Sequence, residues 1–151
     1  MDNEFRDLYQ EIILEHNRSP RNFGTMDDAT HVLEGVNPLC GDHYKIYLKI
    51  DNDTISDIRF EGSGCAISKA SASVMSTTVK GKTTNEADDL FEVFQKIVKG
   101  EEKVDELLER VGKLAAFAGV SEFPMRVKCA TLAWHTLHNA LHGNKKPIST
   151  E

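Results

Sequence analysis

The fold of this chain is decided by the segment Tyr44-Lys45-Ile46-Tyr47-Leu48-Lys49-Ile50 and by the turn Asp51-Asn52-Asp53 that follows it. Apolar and polar residues alternate with a period of two, which is typical of a strand with one buried face. A return strand carries Ile58 and Phe60 after the turn. The sequence therefore predicts a β-hairpin, and residues 31–34 are expected to extend it into an antiparallel sheet of about three strands.

Helical periodicity dominates the rest of the chain. Apolar stripes with a spacing of three or four residues predict helices over residues 5–13, 67–78, 90–98, 104–111 and 124–143. Because strands come early and helices late, we expect an α+β fold in which the helices pack on one face of the small sheet. The predicted organisation is a single domain over residues 1–143, followed by a polar C-terminal tail over residues 144–151.

Composition excludes several classes of protein. The net charge is −6 and the basic residues are scattered, whereas a nucleic-acid-binding protein needs clustered positive charge to neutralise phosphates. The N-terminus is charged, and no apolar run approaches the roughly 20 residues that span a bilayer. We therefore expect a cytoplasmic protein that contacts neither nucleic acid nor membrane, with its thiols kept reduced.

Three cysteines and one nearby carboxylate are the candidate functional groups. Cys40 and Asp42 belong to the triplet Cys40-Gly41-Asp42, and Cys40 is predicted to lie in the loop between the first two strands. Cys65 follows Gly62-Ser63-Gly64 at the start of a predicted helix, and Cys129 lies in the first two turns of the last helix. An odd number of cysteines in a reducing compartment favours thiolate ligands or nucleophiles over disulfides.

Three thiolates and a carboxylate would complete the tetrahedral shell that Zn²⁺ prefers. Asp42 is a hard oxygen ligand among soft sulfurs, which favours an exchangeable shell over a purely structural one. Such a site would carry negative charge, and Arg126 lies one helical turn from Cys129. Isolated buried cysteines are also common as inert apolar groups, so the spacing alone leaves both interpretations open.

Four segments together resemble the SufU proteins of iron–sulfur cluster assembly, which belong to the IscU-like superfamily. The segments are residues 16–24, with His-Asn-Arg-Ser-Pro, residues 37–42, with Asn-Pro-Leu-Cys-Gly-Asp, residues 60–68, with Gly-Ser-Gly-Cys, and residues 126–134, with Arg-Val-Lys-Cys. The resemblance extends over nearly the whole chain and implies an IscU/SufU-like α+β fold.

The resemblance also implies a function, a zinc-dependent sulfurtransferase that works with a SufS-type cysteine desulfurase. It implies one Zn²⁺ per chain, held by Cys40, Asp42, Cys65 and Cys129. A histidine of the desulfurase would replace Cys40 on zinc, so that Cys40 accepts the persulfide sulfur and passes it to a downstream iron–sulfur assembly scaffold. Arg126 would guide the persulfide or stabilise the freed thiolate.

Two alternatives use the same ligands. One is an iron–sulfur cluster assembly scaffold, and the other is a structural zinc module without turnover. Scaffolds of the IscU type carry a histidine before the third cysteine and a Leu-Pro-Pro-Val-Lys motif upstream, whereas this chain has Lys128 and the segment 123–128. The segment 112–117 also looks like an insertion typical of SufU.

Other groups receive simpler interpretations. His135, His138 and His142 near the end of the last helix are expected to interact with the helix dipole instead of forming a second metal site. Gly62-Ser63-Gly64 lacks the phosphate-loop pattern and is predicted to be a tight turn. Asp88 and Asp89 are expected to lie on a solvated helix face.

Overall fold

The computed structural model describes residues 3–100, 114, 117, 118, 120 and 123–149. Their helices and strands follow the predicted order, with strands early and the longer helices around and after them. The elements are α1 (Asn3–Arg18), β1 (His31–Asn37), β2 (Asp42–Asp51), β3 (Thr54–Ser63), α2 (Ala66–Val79), α3 (Thr84–Val98), α4 (Pro124–Leu141) and β4 (Ile148–Ser149). The predicted α+β fold class is confirmed.

The sheet has the strand order β3-β2-β1-β4, and β2 pairs antiparallel with both of its neighbours. Asn52 and Asp53 connect β2 to β3, and both have positive φ angles, 50° and 61°. Two consecutive residues with positive φ are the signature of a type I′ hairpin turn, whose twist matches that of the strands. The predicted hairpin is confirmed, together with its turn.

One face of the sheet forms the core. The residues at alternate positions on this face are at most 2% exposed: Leu33, Tyr44, Ile46, Leu48, Ile58 and Phe60. Helices α2 and α4 cover it, and the fully buried Trp134 of α4 stacks on Phe94 of α3 with ring centroids 4.9 Å apart. The sheet therefore provides the apolar surface on which α2 and α4 pack.

Helix α4 crosses β1 at very close range. A Cβ atom at Gly35 would lie 2.0 Å from Thr136 Oγ1, so only glycine permits this approach. On the other side of α4, Ser71 Oγ of α2 donates a hydrogen bond to the Ala130 carbonyl. These two contacts fix α4, which carries Cys129, against β1 and α2.

The structure adds one strand to the predicted sheet. Within the predicted polar tail, Ile148 and Ser149 form β4, which pairs in parallel with Gly35 and Val36 of β1. A partly buried Ile148 and the free edge of β1 explain the pairing, because unpaired backbone groups at a sheet edge readily accept another strand. Strand β1 also runs on to Asn37, three residues beyond its predicted end.

Two predictions fall on the chain between α3 and α4. The helix predicted over residues 104–111 lies outside the described residues. Of the predicted insertion, the structure describes Leu114 and Phe117, which are both fully buried. In the portion of the chain that is described, no helix combines the length and apolar character needed to cross a membrane.

Candidate metal centre

Four elements carry the predicted ligands to one end of the sheet. Asp42 is the first residue of β2, and Cys40 lies in the loop that connects β1 to β2. Cys65 is the N-cap of α2, and Cys129 is in the second turn of α4. The positions of Cys40, Cys65 and Cys129 agree with the elements predicted from the sequence.

The loop that carries Cys40 is shaped by Asn37. The Asn37 side-chain oxygen accepts a hydrogen bond from the Leu39 N–H at 3.2 Å, and its carbonyl accepts one from the Cys40 N–H, also at 3.2 Å. Asparagine favours such turns because its side chain imitates a backbone acceptor. Gly41 then adopts a φ of 73°, which reverses the chain and brings Asp42 back beneath the loop.

The start of α2 positions Cys65. The Ser68 N–H donates a hydrogen bond to Cys65 Sγ at 3.4 Å, and Ser68 Oγ donates to the Cys65 carbonyl at 3.0 Å. A helix N-terminus exposes unsatisfied N–H groups and favours negative charge. The Cys65 sulfur therefore lies where a thiolate is stabilised.

The structure brings three of the predicted ligands to one point and places the fourth beside them. Ligand atoms of Cys40, Asp42 and Cys129 all lie within 4.8 Å of one another, and the sulfurs of Cys40 and Cys129 are 3.2 Å apart. Cys65 is outside this group of three atoms. Its backbone N–H donates a hydrogen bond to Asp42 Oδ1 at 2.9 Å, whereas the Cys129 thiol donates one to Cys40 Sγ.

The pKa values of the Cys65 and Cys129 thiols are shifted in opposite directions. The hydrogen bond from Cys129, helped by the Ser68 N–H and opposed by burial, lowers the pKa of the Cys65 thiol to about 6. The same bond, together with burial, raises the pKa of the Cys129 thiol.

The Asp42 carboxylate shows that these residues fit a metal ion. Asp42 is 1% exposed, and its Oδ2 atom is buried with no hydrogen-bond partner among the described residues. A buried carboxylate oxygen without a partner is costly, and a cation among the adjacent sulfurs would satisfy it. A thiolate-rich set with one carboxylate oxygen matches the ligands that Zn²⁺ takes in proteins.

Gly64 leaves the space that the carboxylate occupies. A Cβ atom at Gly64 would lie 2.5 Å from both Asp42 Oδ1 and Ser68 Oγ. Tyr44 lies on the buried side of the site, where its hydroxyl forms a hydrogen bond with Ser68 Oγ at 2.8 Å. Burial raises the pKa of this hydroxyl. Sequence reasoning predicted a turn at Gly64, but it missed Tyr44 and Ser68, because neither residue type marks them as site residues.

The Arg126 guanidinium lies over the ring of Phe123. The guanidinium carbon is 4.4 Å from the ring centroid of Phe123, and among the described residues the guanidinium forms no hydrogen bond or ion pair. The side chain is exposed at the first turn of α4. The Arg126 guanidinium is therefore an exposed positive charge one helical turn before Cys129.

The thiols differ in access to solvent. Cys65 is exposed, Cys40 is half-buried and Cys129 is buried. Leu39, the residue before Cys40, is 62% exposed, and Met125, one helical turn before Cys129, is 44% exposed. Exposed apolar side chains therefore lie one residue before Cys40 and one helical turn before Cys129.

Comparison with known proteins places this fold and centre in a family. The NifU-like N terminal domain matches residues 8–142. The chain is 40% identical over 134 residues, 89% of each chain, to the zinc-dependent sulfurtransferase SufU of Bacillus subtilis strain 168. It is 39% identical to the iron–sulfur cluster assembly scaffold protein IscU of Streptococcus pyogenes serotype M1, covering 89% of this chain and 82% of the relative.

A solved structure supports the same assignment. The crystal structure of FiSufU from Fervidobacterium islandicum AW-1 superposes with a TM-score of 0.81 at 38% identity, covering 90% of this chain and 98% of FiSufU. The predicted IscU/SufU-like architecture is thus confirmed. The chain belongs to the family of the NifU-like N terminal domain.

Proposed function

We propose that this protein is a zinc-dependent sulfurtransferase of iron–sulfur cluster assembly. It accepts sulfur from a SufS-type cysteine desulfurase and passes it to a downstream assembly scaffold. The observation that carries the proposal is the convergence of Cys40, Asp42 and Cys129 within 4.8 Å, with Cys65 hydrogen-bonded to the same carboxylate. Similarity to a SufU sulfurtransferase over 89% of both chains supports it.

Cys40, Asp42, Cys65 and Cys129 are the proposed ligands of one Zn²⁺ per chain. When bound, zinc would keep the thiols deprotonated and balance their negative charge. Asp42 would contribute Oδ2, because Oδ1 already accepts the Cys65 N–H. A reducing cytoplasm, which we propose as the compartment, would keep the three thiols available.

Cys40 is the proposed sulfur acceptor. Its thiolate attacks the terminal sulfur of the donor persulfide, a new S–S bond forms at Cys40, and the donor S–S bond breaks to release the donor thiolate. No net redox change occurs. Its place in a surface loop next to the exposed Leu39 supports the role, although Cys65 is the more exposed thiol and is the competing acceptor.

Arg126 is proposed as a positioning residue for the incoming sulfur. The exposed guanidinium stacks on Phe123 and could attract a negatively charged persulfide. Replacement by lysine should preserve most of this attraction, whereas replacement by alanine should raise the KM for the desulfurase more than it lowers kcat. An equal response of both constants in both variants would argue against this role.

Elemental analysis combined with desulfurase turnover tests the main proposal. We expect one tightly bound zinc per chain, strong stimulation of a SufS-type desulfurase, and a persulfide that peptide mass spectrometry locates at Cys40 in the wild-type protein. Cys40→Ala should abolish stimulation. Purified protein without stoichiometric zinc, full stimulation by Cys40→Ala, or a persulfide found at Cys65 would each contradict a defined part of the proposal.

An iron–sulfur scaffold is the second candidate function. The relative from Streptococcus pyogenes, which is 39% identical, carries that description. Anaerobic reconstitution with iron and sulfide separates the two functions. A stable cluster that can be transferred to an apo-acceptor favours the scaffold, whereas retained zinc without cluster formation favours sulfur transfer.

A further inference from the structure

A second group of metal-binding side chains joins α3 to the C-terminal end of α4. Asp88 comes from α3, His138 comes from α4, and His142 is the C-cap residue that follows α4. Their ligand atoms all lie within 4.8 Å of one another. His138 Nδ1 is 3.0 Å from Asp88 Oδ1, and His142 Nε2 is 3.0 Å from Asp88 Oδ2.

The spacing of the two histidines lets them chelate one ion. Residues four apart on a helix lie on the same face, and two histidines with this spacing bind a common metal in helical metal motifs. His135, the third histidine of this segment, faces a different group, because its Nε2 atom lies 3.3 Å from Gln95 Nε2. Asp88 is therefore shared by two imidazoles, which differs from the solvated position expected from the sequence.

The ligands are held in place before any ion binds. The His138 ring stacks on Phe91 with centroids 4.5 Å apart and an interplanar angle of 10°, and Phe91 is only 5% exposed. The rings of His138 and His142 are 4.5 Å apart. Because stacking and packing fix these orientations, an ion would meet little entropic cost of ordering its ligands.

The distances suit a metal shell as well as two hydrogen bonds. Bonds of about 2.0–2.2 Å from a tetrahedral Zn²⁺ to nitrogen and oxygen imply neighbouring ligand atoms about 3.3–3.6 Å apart. Both nitrogen–oxygen distances are 3.0 Å, slightly shorter than that spacing. The two imidazoles bond different oxygens of Asp88, so hydrogen bonding accounts for both contacts in the absence of an ion. The observation that favours a metal site is the convergence of three ligand atoms from three side chains within 4.8 Å of one another.

We propose that Asp88, His138 and His142 form a second metal site that takes an imidazole-preferring divalent transition ion such as Zn²⁺ or Co²⁺. It is separate from the cysteine centre, because Cys129 and His138 are nine positions apart on α4, which corresponds to about 13 Å along the helix axis. Three protein ligands leave a coordination position open to water or another ligand. The partly exposed side chains give an ion access from solvent.

The site would tie α3 to α4. An ion that binds the folded chain and not the unfolded chain stabilises the fold in proportion to its occupancy. With two nitrogens and one oxygen at the surface, we expect weaker binding than at the thiol-rich centre. One zinc should therefore survive purification, and the second should bind only when zinc is added.

Calorimetric titration of the full-length zinc-loaded protein with Zn²⁺ tests the site. We expect the wild type to bind one further equivalent, and His142→Gln and Asp88→Asn each to weaken that equivalent by at least about 100-fold, since even indirect partners of a metal cost 10–100-fold. Asp88→Asn preserves shape and His142 is largely exposed, so both variants should fold. Co²⁺ bound there should lack the sulfur-to-metal charge-transfer absorption of a thiolate site.

Glu34→Gln is the matched control. Glu34 pairs with the single histidine His43 at 3.3 Å, so this variant also converts a histidine-bound carboxylate into an amide, but at a place without a second imidazole. It should bind the additional equivalent like the wild type. Absence of that equivalent in the wild type, or equal binding by all variants, would overturn the second site without touching the cysteine centre.

Discussion

The backbone N–H of Cys65 donates a hydrogen bond to Asp42 Oδ1 at 2.9 Å, so the helix start that presents one thiol also orients the carboxylate. Bonds from an N–H to a carboxylate are stronger than neutral ones, and this N–H lies at the positive end of α2. The bond leaves Oδ2 as the buried oxygen, which has no hydrogen-bond partner in the part of the chain that the structure describes. One backbone contact thus couples two proposed ligands that are 23 residues apart.

Gly64→Ala should weaken metal binding. Its Cβ would lie 2.5 Å from Asp42 Oδ1 and from Ser68 Oγ, so the carboxylate must shift. We expect a loss of zinc affinity of about 10–100-fold and a loss of stability of about 1–3 kcal/mol, as for other overpacked sites. Competition with a chromophoric chelator measures the affinity. Ser63→Ala, at the neighbouring last position of β3, is the control. An unchanged zinc affinity in Gly64→Ala would show that the space at Gly64 does not matter for metal binding.

Removal of zinc should destabilise the fold. Three thiols and a buried carboxylate would lose their shared counter-charge, and metal binding by such a set is coupled to folding. Thermal unfolding before and after chelation, with zinc loss confirmed by elemental analysis, measures the effect. We expect a clearly lower Tm, restored by one equivalent of Zn²⁺. The same Tm with and without zinc would contradict a role for the metal in stability.

Leu39→Ser should impair the partner reaction and leave zinc binding intact. Leu39 is 62% exposed beside the proposed acceptor, so a desulfurase that reaches Cys40 must cover it. Loss of such an apolar contact should raise the KM for the desulfurase about tenfold, which corresponds to about 1.4 kcal/mol. Leu14→Ser is the matched control, because Leu14 is 60% exposed on α1. Equal KM values for the two variants would count against docking at this loop.

His135 should make stability depend on pH. Burial, with smaller contributions from His138 and Lys99, lowers its pKa below the usual 6.5. The unfolded chain then binds a proton more readily than the folded chain, so stability is fully present above about pH 6.5 and falls as the pH is lowered through that value.

Urea unfolding at about pH 7.5 and 5.5 measures this dependence. The wild type should lose more stability between the two conditions than His135→Gln, which cannot take up the proton. The difference between the two proteins isolates His135 from the other groups that titrate in this range. Parallel losses would mean that His135 does not contribute.

Much of the fold could be predicted because its signals are local. The alternation from Tyr44 to Ile50 reflects one buried strand face, and Asn52 and Asp53 tolerate the positive φ angles that a tight hairpin requires. Proline at the first turn of α4 and Cys65 before α2 likewise marked helix starts. The parallel strand β4 gave no such signal, since two residues in a polar tail acquire strand structure only from the edge of β1.

The sequence by itself determined which candidate groups are present, namely the three thiols, the carboxylates of Asp42 and Asp88 and the histidines near the end of α4, and which local elements carry most of them. Tertiary structure alone decided which groups meet: Asp42 with the Cys65 N–H, Cys129 with Cys40, and Asp88 with His138 and His142. The physical reason is that periodicity and turn chemistry act over a few residues. Contacts between residues tens of positions apart depend on how α2, α3 and α4 pack on the sheet and on one another.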